Sequence, residues 1–220
     1  MKNLHNALLL KQLYQLKEMG YHYTDTKPFS YEEQNRLELP NFLDELKKQA
    51  SNCHLCSLSK SRNKVVFGEG NKNAELMFVG DMPIEMEDDA GQIFLGRGGE
   101  MLTAMIEKVL GLQRSDVYIT NLLKCHPLNT QEAPETAYHT CKSYLFKEIE
   151  LVKPKIIVTL GEEAYHYISN EKSSLAKVRG ELNHMKDFQL MPTYHPNFLL
   201  KNPSLKKEVL VDLQKVKALL

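Results

Sequence analysis

The sequence predicts an α/β fold, a three-layer α/β/α arrangement in which a four-stranded parallel sheet is covered by helices on both faces, with a helical extension in front. Three observations carry this. Short apolar runs alternate with segments of helical periodicity, the pattern of βα units. Two of the runs, Glu75-Leu-Met-Phe-Val-Gly80 and Lys155-Ile-Ile-Val-Thr-Leu160, are apolar throughout rather than alternating, as strands buried on both faces are. A chain of 220 residues is also long enough for one sizeable core plus an appendage.

In chain order, Leu4, Leu8, Leu9, Leu13 and Leu16 recur at near-helical spacing up to Gly20, which predicts an amphipathic helix with a glycine stop. Residues 21–40 hold Pro28 and Pro40 with little periodicity and read as a tether. Residues 1–40 are thus an extension and 41–220 the α/β domain. A short helix from about Phe42 to Ala50 opens the domain, and Glu75–Gly80 is its first strand. Met101–Leu110 is a helix with Leu102, Met105, Ile106, Val109 and Leu110 on one face and Gly111 past its end. Val117–Thr120 is the second strand, Pro134–Leu151 a helix, and Lys155–Leu160 the third strand. Glu162–Ser169 is helical and Phe188–Met191 the fourth strand. Ser204 is placed to cap a last helix whose apolar face is Leu205, Val209, Leu213, Val216 and Leu220.

Lys+Arg and Asp+Glu are both 28, so no global field attracts a polyanion, and any nucleic-acid binding must come from a local patch. The longest early apolar run, Ala7–Leu10, is too short for a signal peptide, and nothing approaches a membrane span. A cytoplasmic protein is expected, which disfavours disulfides and gives weight to metal ligation.

Four cysteines, Cys53, Cys56, Cys125 and Cys141, are the whole thiol inventory. Cys53 and Cys56 form a C-x-x-C pair that lets two thiolates converge from one turn, while the other two lie in separate segments. Such a set can hold an iron–sulfur cluster or a zinc ion. Zinc ribbons usually offer two tight pairs, and one tight pair favours a [4Fe–4S] cluster. Four unrelated buried thiols are the bland alternative.

In a parallel sheet the ligand lies beyond the carboxyl ends of the strands. Three loops meet that condition. The first runs from Gly80-Asp-Met-Pro-Ile84 through Glu85, Glu87, Asp88 and Asp89 to Gly91, Phe94 and Gly96-Arg-Gly-Gly99. Its glycines permit close backbone approach to a ligand, or simply begin a helix behind a solvated acidic loop. The second carries Asn121 and Lys124-Cys125-His126-Pro127. An Asn side chain can read a nucleobase edge with one donor and one acceptor, or cap a turn. His126 reads as DNA-facing or structural. The third is Tyr194-His195-Pro196-Asn197-Phe198-Leu199-Leu200-Lys201, where Pro196 stiffens the backbone beside His195. Phe198, Leu199 and Leu200 fit either core or a wedge entering a base stack.

Taken together, Gly80-Asp-Met-Pro with Glu87-Asp88, Gly91, Phe94, Gly96-Arg97 and Gly99, then Thr120-Asn121-Leu-Leu-Lys124-Cys125, then Tyr194-His195-Pro196, resemble the ordered motifs of the family 4 uracil-DNA glycosylases. The resemblance runs from about residue 51 to the C-terminus. It implies removal of uracil from single- or double-stranded DNA by cleavage of the N-glycosidic bond, by a monomer holding a [4Fe–4S] cluster on Cys53, Cys56, Cys125 and Cys141. It also implies a uracil pocket of Gly80, Phe94, Asn121 and Pro196, with Phe94 stacking on the base and Asn121 reading its edge. His195 would stabilise the departing base, and Asp81 and Glu87 would be the acidic catalytic residues. Arg97, Lys124, Leu199, Leu200 and Lys201 would face DNA, and residues 1–40 are left for a protein partner.

Four positions depart from the family pattern. Asp81 stands where Glu is usual, Ile84 where Gly is, His126 where Arg is common, and Asn197 where a small residue is. They leave open an alternative, a non-catalytic iron–sulfur DNA-binding module serving a replication or repair partner. A zinc protein using the same four thiolates is the third reading.

Overall fold

The computed structural model describes residues 2–20, 38–127 and 133–220. The chain divides into two compact units, Met1–Glu38 and Leu39–Leu220. In the first, helix α1 spans Lys2–Glu18, and Gly20 follows with φ +89°. Among its described side chains α1 buries no apolar stripe: Leu10, Leu13, Tyr14 and Leu16 are all exposed. Most of the predicted tether, residues 21–37, lies outside the described residues.

The second unit opens with α2 (Leu43–Ser51), close to the predicted Phe42–Ala50. Its sheet is built from β1 (Glu69–Gly70), β2 (Leu76–Gly80), β3 (Tyr118–Asn121), β4 (Ile156–Leu160), β5 (Asn183–His184) and β6 (Gln189–Thr193). The order is β1-β3-β2-β4-β6-β5. The four expected strands form the parallel centre, β3-β2-β4-β6, and the two-residue β1 and β5 pair antiparallel at its edges. These edges are too short to leave a periodic signal, and they blunt a sheet that would otherwise offer open backbone. The chain leaves β2 for β3 on one side and then returns to β4 on the other, so the sheet reverses direction at β2. That reversal opens a crevice at the carboxyl end of β2, where Gly80 pairs in register with Asn121.

Alternate residues of each strand feed opposite layers, as the pleat requires. Leu76, Phe78, Val158 and Met191 pack with Leu102, Ile106, Leu213 and Val216. Met77, Val79, Ile157 and Leu190 pack with Leu145, Ile149, Ala164 and Tyr165. The first layer comprises α4 (Gly96–Ala104), which continues as a π-helical turn over Met105–Leu110, with α8 (Pro196–Lys201) and α9 (Lys206–Lys217). The second comprises α5 (Glu135–Val152) and α6 (Glu162–Ser169). The short helices α3 (Glu85–Ala90) and α7 (Leu175–Val178) complete the domain.

Two local expectations fail. Helix α4 starts at Gly96, ahead of the expected Met101, because tertiary contacts override the poor helix propensity of its glycines. Ser204 does not cap the last helix. Pro203–Leu205 forms a 3₁₀ turn, α9 begins at Lys206 behind Leu205, and no side chain caps it. Of the predicted face, Val209, Leu213 and Val216 are buried, whereas Leu220 is exposed. No helix among the described residues is long and apolar enough to cross a membrane.

Leu145 is fully buried where α5 meets the sheet. Leu145→Ala should lower the unfolding free energy by about 2–5 kcal/mol, read by urea unfolding.

Candidate active site

Three side chains from three loops, Phe94, Asn121 and His195, gather at the crevice at β2. Gly80 forms its floor. A Cβ at this position would collide with Asn121 Oδ1 and come within 2.9 Å of the tip of the Phe94 ring. Absence of a side chain therefore brings amide and ring together. Phe94 has φ +51°, a left-handed backbone that non-glycine residues seldom adopt. Two contacts hold it there. Glu87 accepts the Leu95 N–H at 3.0 Å and also the Phe94 N–H, while a Cβ on Gly99 would overlap the Phe94 carbonyl oxygen. The Phe94 ring stacks on the His195 imidazole, with centroids 5.7 Å apart and planes 25° apart.

Asn121 is buried, and its Oδ1 has no hydrogen-bond partner. This amide oxygen is free of protein donors and can accept from a group in the crevice. His195 is the N-cap of α8, and its Nδ1 accepts the Asn197 N–H at 3.1 Å. Acceptance at Nδ1 puts the proton of the neutral ring on Nε2. Burial pushes this imidazole down to about 4, so it is neutral near pH 7 and a fixed Nε2–H donor. Pro196, buried at the first position of α8, fixes the backbone beside it.

Asp81 follows Gly80. Burial raises its carboxyl to about 6, partly offset by a hydrogen bond from Tyr138 and reinforced by the nearby Glu163. Its Oδ1 is a second buried acceptor without a protein partner. His126 Nδ1 lies 2.8 Å from the Pro83 carbonyl and ties the first loop to the second. Ile84 is exposed.

Three expected roles need correction. Glu87, expected among the catalytic carboxylates, has both oxygens committed to backbone N–H groups, Oε2 to Ile84 and Oε1 to Leu95, each at 3.0 Å. It holds the Phe94 loop and is a positioning residue. Lys124, expected to meet phosphates, is only 2% exposed and is paired with the fully buried Glu148. Leu199, expected as a wedge, is packed in the core at 1% exposure, and Leu200 is half-buried. One turn of α8 rotates Leu199 inward and leaves its neighbour Phe198 45% exposed. Arg97 and Lys201 are exposed. Sequence reading missed Tyr138 and Glu148. Their spacing from Cys141 on α5, three residues for Tyr138 and seven for Glu148, is the signal that puts all of them on one helix face.

The four cysteines are free thiols. Cys53 follows α2, Cys56 precedes a 3₁₀ turn, Cys125 follows β3, and Cys141 lies on α5. Cys125 feels the charge of Cys53 and Cys56, and Cys141 that of Cys125 and Cys56, so the set converges. Burial pushes the Cys125 thiol up to about 11 and Cys141 up to about 12. Arg62 donates to Cys125 Sγ at 3.5 Å, and the Lys124 backbone N–H donates to Cys141. Among the described residues no three of His, Cys, Asp or Glu are gathered around one ion position. The donor set is four soft sulfurs with N–H groups that would offset thiolate charge, which fits an iron–sulfur cluster or a zinc ion.

The chain belongs to the uracil-DNA glycosylase superfamily, whose family model matches residues 67–214. Within it, the similarity is to the type-4 branch. A Type-4 uracil-DNA glycosylase of Sulfurisphaera tokodaii is 40% identical over 185 residues, covering 80% of this chain and 84% of that protein. One of Thermotoga maritima is 37% identical over 187 residues, covering 83% and 95%. A DNA polymerase of Bacillus phage SP01 is 28% identical over 167 residues, which are 76% of this chain and 18% of the polymerase.

Gly80→Ala should leave the fold standing but displace Asn121 or Phe94, since its Cβ has no room. An unaltered melt with roughly a hundredfold loss of base release is the expected result.

Proposed function

We propose that this chain removes uracil from DNA by hydrolysing the bond between the base and its deoxyribose, leaving an abasic site. The observation that carries the reading is the convergence of Phe94, Asn121 and His195 around the side-chain-free Gly80. An aromatic face, an amide and an imidazole donor are what a flipped pyrimidine requires. The target base is inaccessible in a duplex, and extruding it costs about a few kcal/mol, which stacking on Phe94 offsets.

The C1′–N1 bond breaks with its electron pair leaving on the base, so negative charge develops on uracil while the sugar becomes cation-like. The neutral His195 presents Nε2–H to the O2 side of that developing anion. A preorganised donor of this kind contributes about 3 kcal/mol. Asp81 supports the sugar cation and orients the attacking water on its bare Oδ1; that water's oxygen forms the new bond to C1′ as its proton passes to the Asp81 carboxylate. The Tyr138 hydroxyl donates to the carboxylate and restrains it. Asn121 pairs with the pyrimidine edge.

Cys53, Cys56, Cys125 and Cys141 would hold a [4Fe–4S] cluster. It would supply cross-linking of three segments rather than chemistry at the base. Exposed Arg97 and Lys201 would meet phosphates, with Leu200 and Phe198 at the rim. The partner is uracil-containing DNA, the enzyme acts as a monomer in the cytoplasm, and residues 1–40 are available to a protein partner.

Incubation with a uracil-containing oligonucleotide should give alkali-labile abasic sites, and their absence at stoichiometric protein rejects the reading. His195→Ala should lower kcat about a hundredfold. Asp81 is ionised above about 6, so kcat/KM should rise with pH through that value and then level, and Asp81→Asn should abolish the limb. A limb that survives in Asp81→Asn rules out this assignment of the carboxylate.

A further inference from the structure

We propose that Glu148 is a positioning residue for base recognition, acting through Lys124 on Asn121; the inference rests on the uracil-recognition reading above. Asn121 is the last residue of β3; β2 pairs with it on one side through Gly80, but β1 on the other side reaches only to Ile119. On its carbonyl the side-chain partner is Lys124. Its Nζ donates to the Asn121 carbonyl at 2.7 Å, to Thr120 Oγ1 at 2.6 Å and to Glu148 Oε2. All three ammonium protons are thereby used.

Glu148 is the anchor. It reaches from α5 and is fully buried, accepting from Tyr118 Oη at 2.9 Å and Thr120 Oγ1 at 3.0 Å as well as from Lys124. The network is closed from above by residues 66–68. Val66 N–H donates to the Lys124 carbonyl at 2.8 Å, the Phe67 ring lies 5.5 Å from Nζ, and a Cβ on Gly68 would strike Glu148 and Tyr118. Beyond Asn121, the Leu122 and Leu123 N–H groups donate to the Gly80 and Asp81 carbonyls, each at 2.9 Å. The turn fixed by Lys124 therefore aligns the pocket floor as well as the recognising amide.

A buried ion pair is a poor device for stability. Replacing both partners with apolar residues of similar volume is often neutral or stabilising, while removing one partner strands a charge. That asymmetry separates positioning from mere structure. Lys124→Met combined with Glu148→Leu removes both charges but withdraws the donor from the Asn121 carbonyl.

The test uses the full-length, cluster-loaded protein. Melting temperature, visible absorbance, inhibition by free uracil, and kcat and KM on a uracil oligonucleotide are compared for wild type and the paired variant. The expected paired variant keeps its melt and absorbance, yet binds free uracil about tenfold more weakly, the loss of one well-placed hydrogen bond, with a larger fall in kcat/KM. Wild-type uracil inhibition and kcat/KM in that variant overturn the proposal. Should the paired variant lose its absorbance or melt early, Lys124→Met with Glu148→Gln decides, because it strands no charge and keeps an amide oxygen for the Tyr118 and Thr120 hydroxyls. Weaker uracil inhibition at full absorbance supports the proposal, and unchanged inhibition overturns it. A wild type that neither releases nor binds uracil rejects the parent reading instead. Amide exchange at Leu122 and Leu123 then tests the coupling alone: faster exchange in the charge-removing variant that keeps its melt supports it, and unaltered exchange overturns it.

Discussion

A hydrogen atom where other residues carry a β-carbon, at positions 80 and 99, is the constraint on which the site depends. At Gly80 it lets the Asn121 amide and the Phe94 ring share one floor, and at Gly99 it leaves room for the Phe94 carbonyl. The same glycine run serves the opposite wall. Gly98 makes room for Asn197, whose backbone N–H orients His195. Two loops far apart in sequence thus dock against one helix start, and the left-handed Phe94 is held by that docking rather than by its own preference.

The second organising element is the inner face of α5. Tyr138, Cys141, Leu145, Glu148 and Val152 recur at three- and four-residue steps, which stack on one side of a helix. Tyr138 reaches Asp81, Cys141 joins the thiol set, Leu145 fills the core and Glu148 holds Lys124. A single helix therefore connects the Asp81 carboxylate, the thiols and the end of β3.

The parts of this arrangement legible in the sequence are those set by local pattern. β2 and β4 announced themselves as uniform apolar runs, and helix α6 ends where its periodicity ends. The three loops followed from the rule that ligands sit at strand carboxyl ends. What stayed hidden depends on partners far along the chain. Lys124 reads as a cation for phosphate until Glu148 is seen to bury it. Leu199 and Phe198 are equally apolar, and only the docking of the short α8 decides which one turns inward. The beginning of α4 was obscured by its glycines, whose value lies in tertiary contact, and Glu87 reads as a reactive acid because nothing local shows that backbone amides occupy it.

The fixed ring of His195 has a further consequence. Since Nδ1 is held by a backbone amide and burial keeps the ring from taking a second proton near pH 7, this imidazole is a standing dipole. On the proposed reading it would finish each cycle in the tautomer in which it began, and the hydrogen that the liberated base acquires would come from water.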